Sequence, residues 1–220
     1  MKKLWFIGLV LLVNNFTVSA QRMLSEGTLA YNLQIMISGG VAQPNDAPID
    51  ANATLYLKGT SRRTDLLSPL GNETTIYDGK AGNGVILKSF SGQKLMITLN
   101  KDDWMDFHKT YAGIQFETLN ETKDVMGYPC KKAISKLADG GSLVVYYTPD
   151  IQMVNKDYNP TFVNLNGVPM EYELATGKMK VKYTITKINF DPVPAAKFEF
   201  PRSGYRVMTY AENKAMKKTN

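Results

Sequence analysis

Cysteine and histidine are almost absent from this chain of 220 residues, which contains one of each, Cys130 and His108. A single cysteine cannot form an internal disulfide, so the core must hold the fold without covalent cross-links. A catalytic thiol needs a basic partner, and the only histidine is distant in sequence. We therefore interpret Cys130 as a small buried strand residue, with an intermolecular disulfide as the alternative.

Motifs that carry chemistry are also lacking. The sequence has no GxSxG elbow, no HExxH and no P-loop. The glycine-rich stretch Gly79–Gly84 opens no predicted helix, so we interpret it as a hairpin turn and not as a phosphate cradle. Asp102, Asp103 and Asp106 lack the loop spacing and the glycine of a calcium site. We predict no catalytic residue, metal or cofactor and no enzymatic activity. The alternative left open is a catalytic pair of carboxylates that only the fold brings together.

Long hydrophobic runs are confined to the N-terminus. Lys2 and Lys3 precede the apolar run 4–13, and Val18-Ser19-Ala20 supplies the small residues of a cleavage site. This pattern is typical of a secretory signal peptide, residues 1–20, cleaved after Ala20. The apolar run is about half of the roughly 20 residues that a membrane anchor needs. We expect a periplasmic protein whose residues 21–220 form a single domain without a transmembrane segment.

The chain has only a small excess of positive over negative residues. The net charge is +6, and loss of Lys2 and Lys3 with the signal peptide leaves +4. This modest charge, in an exported protein, argues against nucleic acid as a partner. The lysines at 214, 217 and 218 favour a solvated tail, with contact to a membrane surface as the alternative.

Alternation of apolar and polar residues is what the chain has in abundance, and it predicts a mainly β protein. The predicted strands are 29–37, 54–59, 62–67, 74–77, 85–90, 94–99, 115–119, 128–137, 142–148, 168–174 and 179–185. Turn residues between them, including Gly39-Gly40, Asp139-Gly140-Gly141 and Thr176-Gly177, favour an antiparallel meander. A shift of the period at Ile188 indicates a bulge.

Two helices interrupt this pattern. Asn100 is a predicted N-cap, Trp104, Phe107 and Tyr111 lie along one side of the helix, and Gly113 ends it. Residues 210–218 form a short predicted C-terminal helix.

The segment Val125–Ile151 carries a family resemblance. Met126–Ala133, which reads MGYPCKKA, and Tyr146–Asp150, which reads YYTPD, resemble a repeated pattern in secreted proteins of unknown function that include the GLPGLI group. A looser similarity continues through 162–169 and 200–205. The GLPGLI signature itself is absent, which places the chain near that group and not inside it.

Those secreted proteins look like distant relatives of the LolA and LolB lipoprotein carriers. The resemblance covers roughly residues 25–210. It implies a curved antiparallel sheet in the form of an open half-barrel, with helices over an apolar cavity that receives acyl chains. The carriers' arginine that is associated with lid control has no matching position, and Arg62 and Arg63 are candidates by their strand location.

The expected function is therefore to bind or carry a lipid, an acyl chain or a lipoprotein in an apolar cavity. Eleven methionines add adaptable apolar surface, although an ordinary core explains them equally. The alternative is a non-enzymatic structural or interaction protein of the cell envelope, which presents an edge strand or a surface patch to an envelope protein. The predicted ligand-binding residues are Leu33, Ile35, Leu57, Leu95, Ile97, Trp104 and Phe107.

Overall fold

The computed structural model describes residues 21–37, 47–137, 141–176 and 179–219. The predicted signal peptide and the predicted turns at Gly39-Gly40, Asp139-Gly140 and Gly177 lie outside these residues. The strands are β1 (Arg22–Leu24), β2 (Glu26–Ile37), β3 (Ile49–Lys58), β4 (Ser61–Ser68), β5 (Gly71–Asp78), β6 (Asn83–Phe90), β7 (Gln93–Leu99), β8 (Glu117–Val125), β9 (Tyr128–Lys136), β10 (Ser142–Thr148), β11 (Ile151–Met153), β12 (Val168–Thr176), β13 (Met179–Asn189) and β14 (Arg206–Thr209). The α-helices are α1 (Lys101–His108) and α2 (Tyr210–Thr219), and short 3₁₀ helices span Lys156–Tyr158, Pro160–Phe162 and Ala195–Phe198.

Twelve of the strands form one curved sheet in the order β14-β7-β6-β5-β4-β3-β2-β13-β12-β10-β9-β8. Its two edges, β14 and β8, do not pair with each other, so the sheet stays open. The predicted mainly β fold with a mid-chain and a C-terminal helix is confirmed.

Two parallel strand pairs depart from the predicted antiparallel meander. β14 pairs with β7 in parallel, and β1 pairs with β11 in parallel as a separate two-stranded sheet. These strands, apart from β7, are three or four residues long and join distant parts of the chain. Too few residues alternate in them to give a local signal, so the sequence did not indicate them.

Strand β2 shows how the alternation builds the core. Leu29, Tyr31, Leu33 and Ile35 are all buried, and the residues between them are more exposed. Full burial of such a side chain contributes about 1.5–3 kcal/mol. The register between β2 and β13 shifts between Ile185 and Lys187, which confirms the bulge expected near Ile188.

The cross-strand register defines two faces of the sheet. We call the face that carries Tyr31, Leu57, Arg62 and Tyr77 the helix face, because α1 packs on it through Trp104. The opposite face carries a smaller apolar cluster. That cluster contains Ile76, Val85, Leu87 and Met96, and the segment between β13 and β14 covers it with Phe198 and Tyr205.

Helix α1 begins as predicted but ends earlier. The Asn100 side chain accepts a hydrogen bond from the Asp103 backbone N–H at 2.9 Å, and the Asp103 carboxylate accepts one from the Asn100 N–H at 3.0 Å. The helix ends at His108, so the prediction that it continues through Tyr111 to Gly113 is wrong. The chain turns away there because Gly113 donates to the Pro160 carbonyl and the Tyr111 hydroxyl donates to the Ala175 carbonyl.

Candidate ligand-binding cavity

A cavity of about 910 Å³ lies against the helix face of the sheet. Small-molecule sites commonly occupy about 300–1,000 Å³, so this space suits a ligand of substantial size. Its walls combine the central strands with the C-terminal end of α1, the turn after it and the 3₁₀ segment 156–162. The residues that line it include Tyr31, Leu55, Arg62, Phe107, His108, Tyr111, Leu143, Tyr158, Tyr172, Leu174 and Tyr183.

Three tyrosines from neighbouring strands form one wall of the cavity. Tyr172 and Tyr183 are cross-strand partners whose rings stack at a centroid distance of 4.6 Å. Tyr31 meets the Tyr172 ring edge-on at 6.0 Å and donates its hydroxyl to the Pro169 carbonyl at 3.0 Å. This arrangement, which we call the tyrosine wall, presents a rigid aromatic surface, because adjacent rings and a backbone hydrogen bond hold the side chains in place.

Arg62 brings a positive charge to this cavity. Its side chain is buried, its Nη1 donates to the Tyr158 carbonyl, and its guanidinium lies 4.5 Å from the centroid of the Trp104 ring. Burial lowers the pKa of Arg62 to about 10, and interaction with the hydroxyls of Tyr158 and Tyr172 partly opposes that shift. The residue therefore stays charged at neutral pH.

His108 lies beside this charge and is neutral at pH 7. Burial, then repulsion from Arg62, lowers its pKa to about 4, and a hydrogen bond to the Trp104 carbonyl opposes the shift. Nδ1 is 3.0 Å from that carbonyl oxygen, which can only accept, so Nδ1 carries the proton. The neutral imidazole consequently presents its Nε2 as an acceptor.

All seven predicted ligand-binding residues belong to the helix face or to α1, but they do not form one site. Phe107 alone among them lines the cavity. Leu33, Ile35 and Leu57 are buried in the large core cluster. Ile97, Trp104 and Leu95 pack together beneath α1. Ligand contact by these residues stays a prediction.

Arg62, His108 and the three tyrosines of the tyrosine wall were not among the predicted ligand-binding residues. The sequence did contain a signal that Arg62 faces inward. Only two residues separate β3 from β4, and so short a hairpin turn pairs Arg62 directly with the inward residue Leu57. Arg63 consequently points to the opposite face. There it forms an ion pair with Asp65 at 2.8 Å and donates to the Lys197 carbonyl at 3.0 Å.

Cys130 and the acidic residues of α1 lie outside the cavity lining. Cys130 has no exposed surface, its thiol donates to the Tyr128 carbonyl at 3.3 Å, and burial raises its pKa to about 11. Its predicted role as a buried strand residue is confirmed. Asp106 accepts hydrogen bonds from Lys214, Lys109 and Tyr210, which hold its pKa well below the usual range and tie α1 to α2.

Comparisons with known proteins give only remote similarities. No family model matches the chain, and no curated protein matches it. The resemblance to the GLPGLI group is therefore not confirmed and stays a prediction. None of the described helices has the length and the apolar composition that crossing a membrane requires.

Several solved structures resemble the fold at low sequence identity. PNGF-II is 14% identical over 86% of this chain with a TM-score of 0.45, and the chain spans only 33% of its length. An uncharacterised conserved protein from Thermus thermophilus is 8% identical, with 82% of this chain and 90% of that protein covered and a TM-score of 0.46. A LolA superfamily protein from Nitrosomonas europaea is also 8% identical, with 80% and 90% covered and a TM-score of 0.35.

Proposed function

We propose that this protein is an exported, non-enzymatic binding or carrier protein that buries the acyl chain of a lipid or lipoprotein in the cavity. The observation that carries the proposal is the cavity of about 910 Å³ between the open sheet and the end of α1, whose walls include the tyrosine wall, Leu55, Leu143 and Leu174. Transfer of hydrocarbon from water into such a space contributes about 0.8 kcal/mol per methylene group. The signal-like N-terminus supports action in the periplasm.

Helix α1 supplies a route of entry under this proposal. Trp104 is its one buried residue, while Phe107 lines the cavity and is 39% exposed. Separation of α1 from the sheet would release Trp104 and the Asp106 contacts to α2, whereas every strand would keep its pairing. Outward movement of α1 would widen the cavity without breaking the sheet.

A cavity-filling substitution tests this proposal. Leu174 lines the cavity, so the larger side chain of Leu174→Trp should lower the affinity for an apolar fluorescent probe and for dodecanol. Leu67→Trp is the matched control, because Leu67 is 54% exposed and does not line the cavity. Equal affinity of both variants for dodecanol, or no binding of dodecanol by the unmodified protein, would contradict the proposal.

The second candidate function is docking of an envelope protein on the free edge of β8. This strand spans nine residues and pairs through hydrogen bonds on one side, with β9. An extended segment of a partner can pair with such an edge. Pull-down from envelope extracts tests this alternative. It is favoured if the unmodified protein recovers a partner that Asn120→Pro does not recover, while both bind dodecanol equally.

A further inference from the structure

Arg62 carries a buried charge for which no described residue supplies a counter-charge. The residue is 9% exposed, and no carboxylate among the described residues lies within salt-bridge distance of it. Its neighbour Arg63 has Asp65 at 2.8 Å. Buried charges in proteins are normally paired, so an unpaired one beside a cavity indicates a missing counter-charge.

Two polar side-chain atoms of the neighbouring residues Arg62 and Tyr158 lack hydrogen-bond partners. Nε of Arg62 and the hydroxyl of Tyr158 are buried and unpaired, although Nη1 of Arg62 donates to the Tyr158 carbonyl. Both residues line the cavity, and Tyr158 is 3% exposed. Buried polar atoms usually have partners, and two donors without partners on contacting residues that line one cavity point to a shared acceptor. A water molecule would satisfy hydrogen bonds there but would leave the charge uncompensated.

The remaining charges of the lining do not supply that acceptor. Glu173 is the one carboxylate residue among the described lining residues, and its Oε1 is 3.5 Å from Lys180 Nζ, which also lines the cavity. His108 is neutral and offers an acceptor at Nε2 but no negative charge. The net charge of the lining is therefore positive, with Arg62 as its unpaired member.

We propose that the cavity binds a long-chain carboxylate, whose head group accepts hydrogen bonds from the Arg62 guanidinium and the Tyr158 hydroxyl while its hydrocarbon lies along the tyrosine wall. A planar guanidinium matches a carboxylate better than other cations do, because its N–H groups form a fixed fork. The proposal deepens the acyl-chain function and rests on it, since it names the chemical class of the ligand.

Competition with one apolar probe at pH 8 compares dodecanoate with dodecanol, which share the hydrocarbon and differ in the charged head group. Hydrogen bonds to charged groups contribute enough that we expect dodecanoate to bind roughly tenfold more tightly or better. Arg62→Gln should remove that preference, because dodecanoate loses a charged partner and weakens about tenfold, whereas dodecanol, which carries no charge, weakens much less. Arg63→Gln is the matched control, because Arg63 lies on the opposite face, and should keep the preference.

Tyr158→Phe keeps the test decisive if Arg62→Gln fails to fold. It retains the ring and the backbone carbonyl that Arg62 uses, and it should weaken dodecanoate several-fold and dodecanol by less, because a hydrogen bond to a charged acceptor is the stronger one. Equal affinity of the unmodified protein for acid and alcohol would overturn the carboxylate proposal but leave acyl-chain binding intact. A preference for acid that survives both Arg62→Gln and Tyr158→Phe would also overturn it. Binding of neither compound would overturn the carrier function itself.

Discussion

The guanidinium of Arg62 lies 4.5 Å from the centroid of the Trp104 ring, so the anchor of α1 also covers the buried cation of β4. The Trp104 ring also stacks on the ring of Tyr77 in the sheet, at a centroid distance of 4.1 Å. Packing of the helix and the environment of the candidate site therefore depend on the same side chain.

Replacement of Trp104 should greatly lower the urea concentration at the midpoint of unfolding. Trp104→Ala removes the one buried side chain of α1, and truncations of this size cost roughly 3–5 kcal/mol of unfolding free energy. Met105→Ala on the same helix should change the free energy by less than about 0.5 kcal/mol, because Met105 is 53% exposed. Similar urea midpoints for the two variants would show that Trp104 does not anchor the helix.

Protonation of His108 should make stability depend on pH in mildly acid solution. The unfolded histidine takes up a proton near pH 6.5, whereas the folded one does so near pH 4, so stability falls as the pH decreases through this window. The complete difference corresponds to roughly 3 kcal/mol.

His108→Gln should remove this dependence between pH 6.5 and pH 5, measured by urea unfolding at each pH. Carboxylates such as Glu26 and Glu121 have lowered pKa values, so their contribution is lost only below their ordinary value of 4.5. An equal pH slope in the unmodified protein and the variant would contradict the prediction.

Gly84 should not tolerate a side chain. A Cβ atom at this position would collide with the Ile76 carbonyl oxygen and would lie 2.8 Å from the Tyr77 ring. Gly84→Ala must therefore displace the ring on which Trp104 stacks, and overpacking of this kind costs about 1–3 kcal/mol. Thermal unfolding should show a clear decrease in Tm, with Ser89→Ala on the same strand as the control. A Tm unchanged by Gly84→Ala would exclude the close packing.

Cys130 should resist alkylation in the folded protein. The thiol has no exposed surface, and its pKa of about 11 leaves little thiolate at neutral pH. Maleimide labelling followed by mass spectrometry should be slow in buffer and complete in denaturant. Rapid labelling without denaturant would instead indicate an accessible, reactive cysteine.

Local patterns were sufficient to predict most of the sheet and the start of α1. Inward residues such as Leu33 and Leu57 were identifiable because strand side chains alternate between faces, and Asn100 because its amide caps the first turn. The end of α1 was not predictable, since it depends on hydrogen bonds from Gly113 to Pro160 and from Tyr111 to Ala175. Those partners are distant in sequence and leave no local trace.

The sequence by itself determined a mainly β chain with two helices, one buried cysteine and one face of apolar residues, because alternation, capping and turn chemistry act between near neighbours. Only the tertiary structure decided which of those residues are packed and which line a cavity. It placed Phe107 at the cavity and Ile97 in the core, and it brought Arg62 next to Tyr158. Such placement follows from long-range strand register and from the segment that folds back over the sheet, neither of which a local pattern encodes.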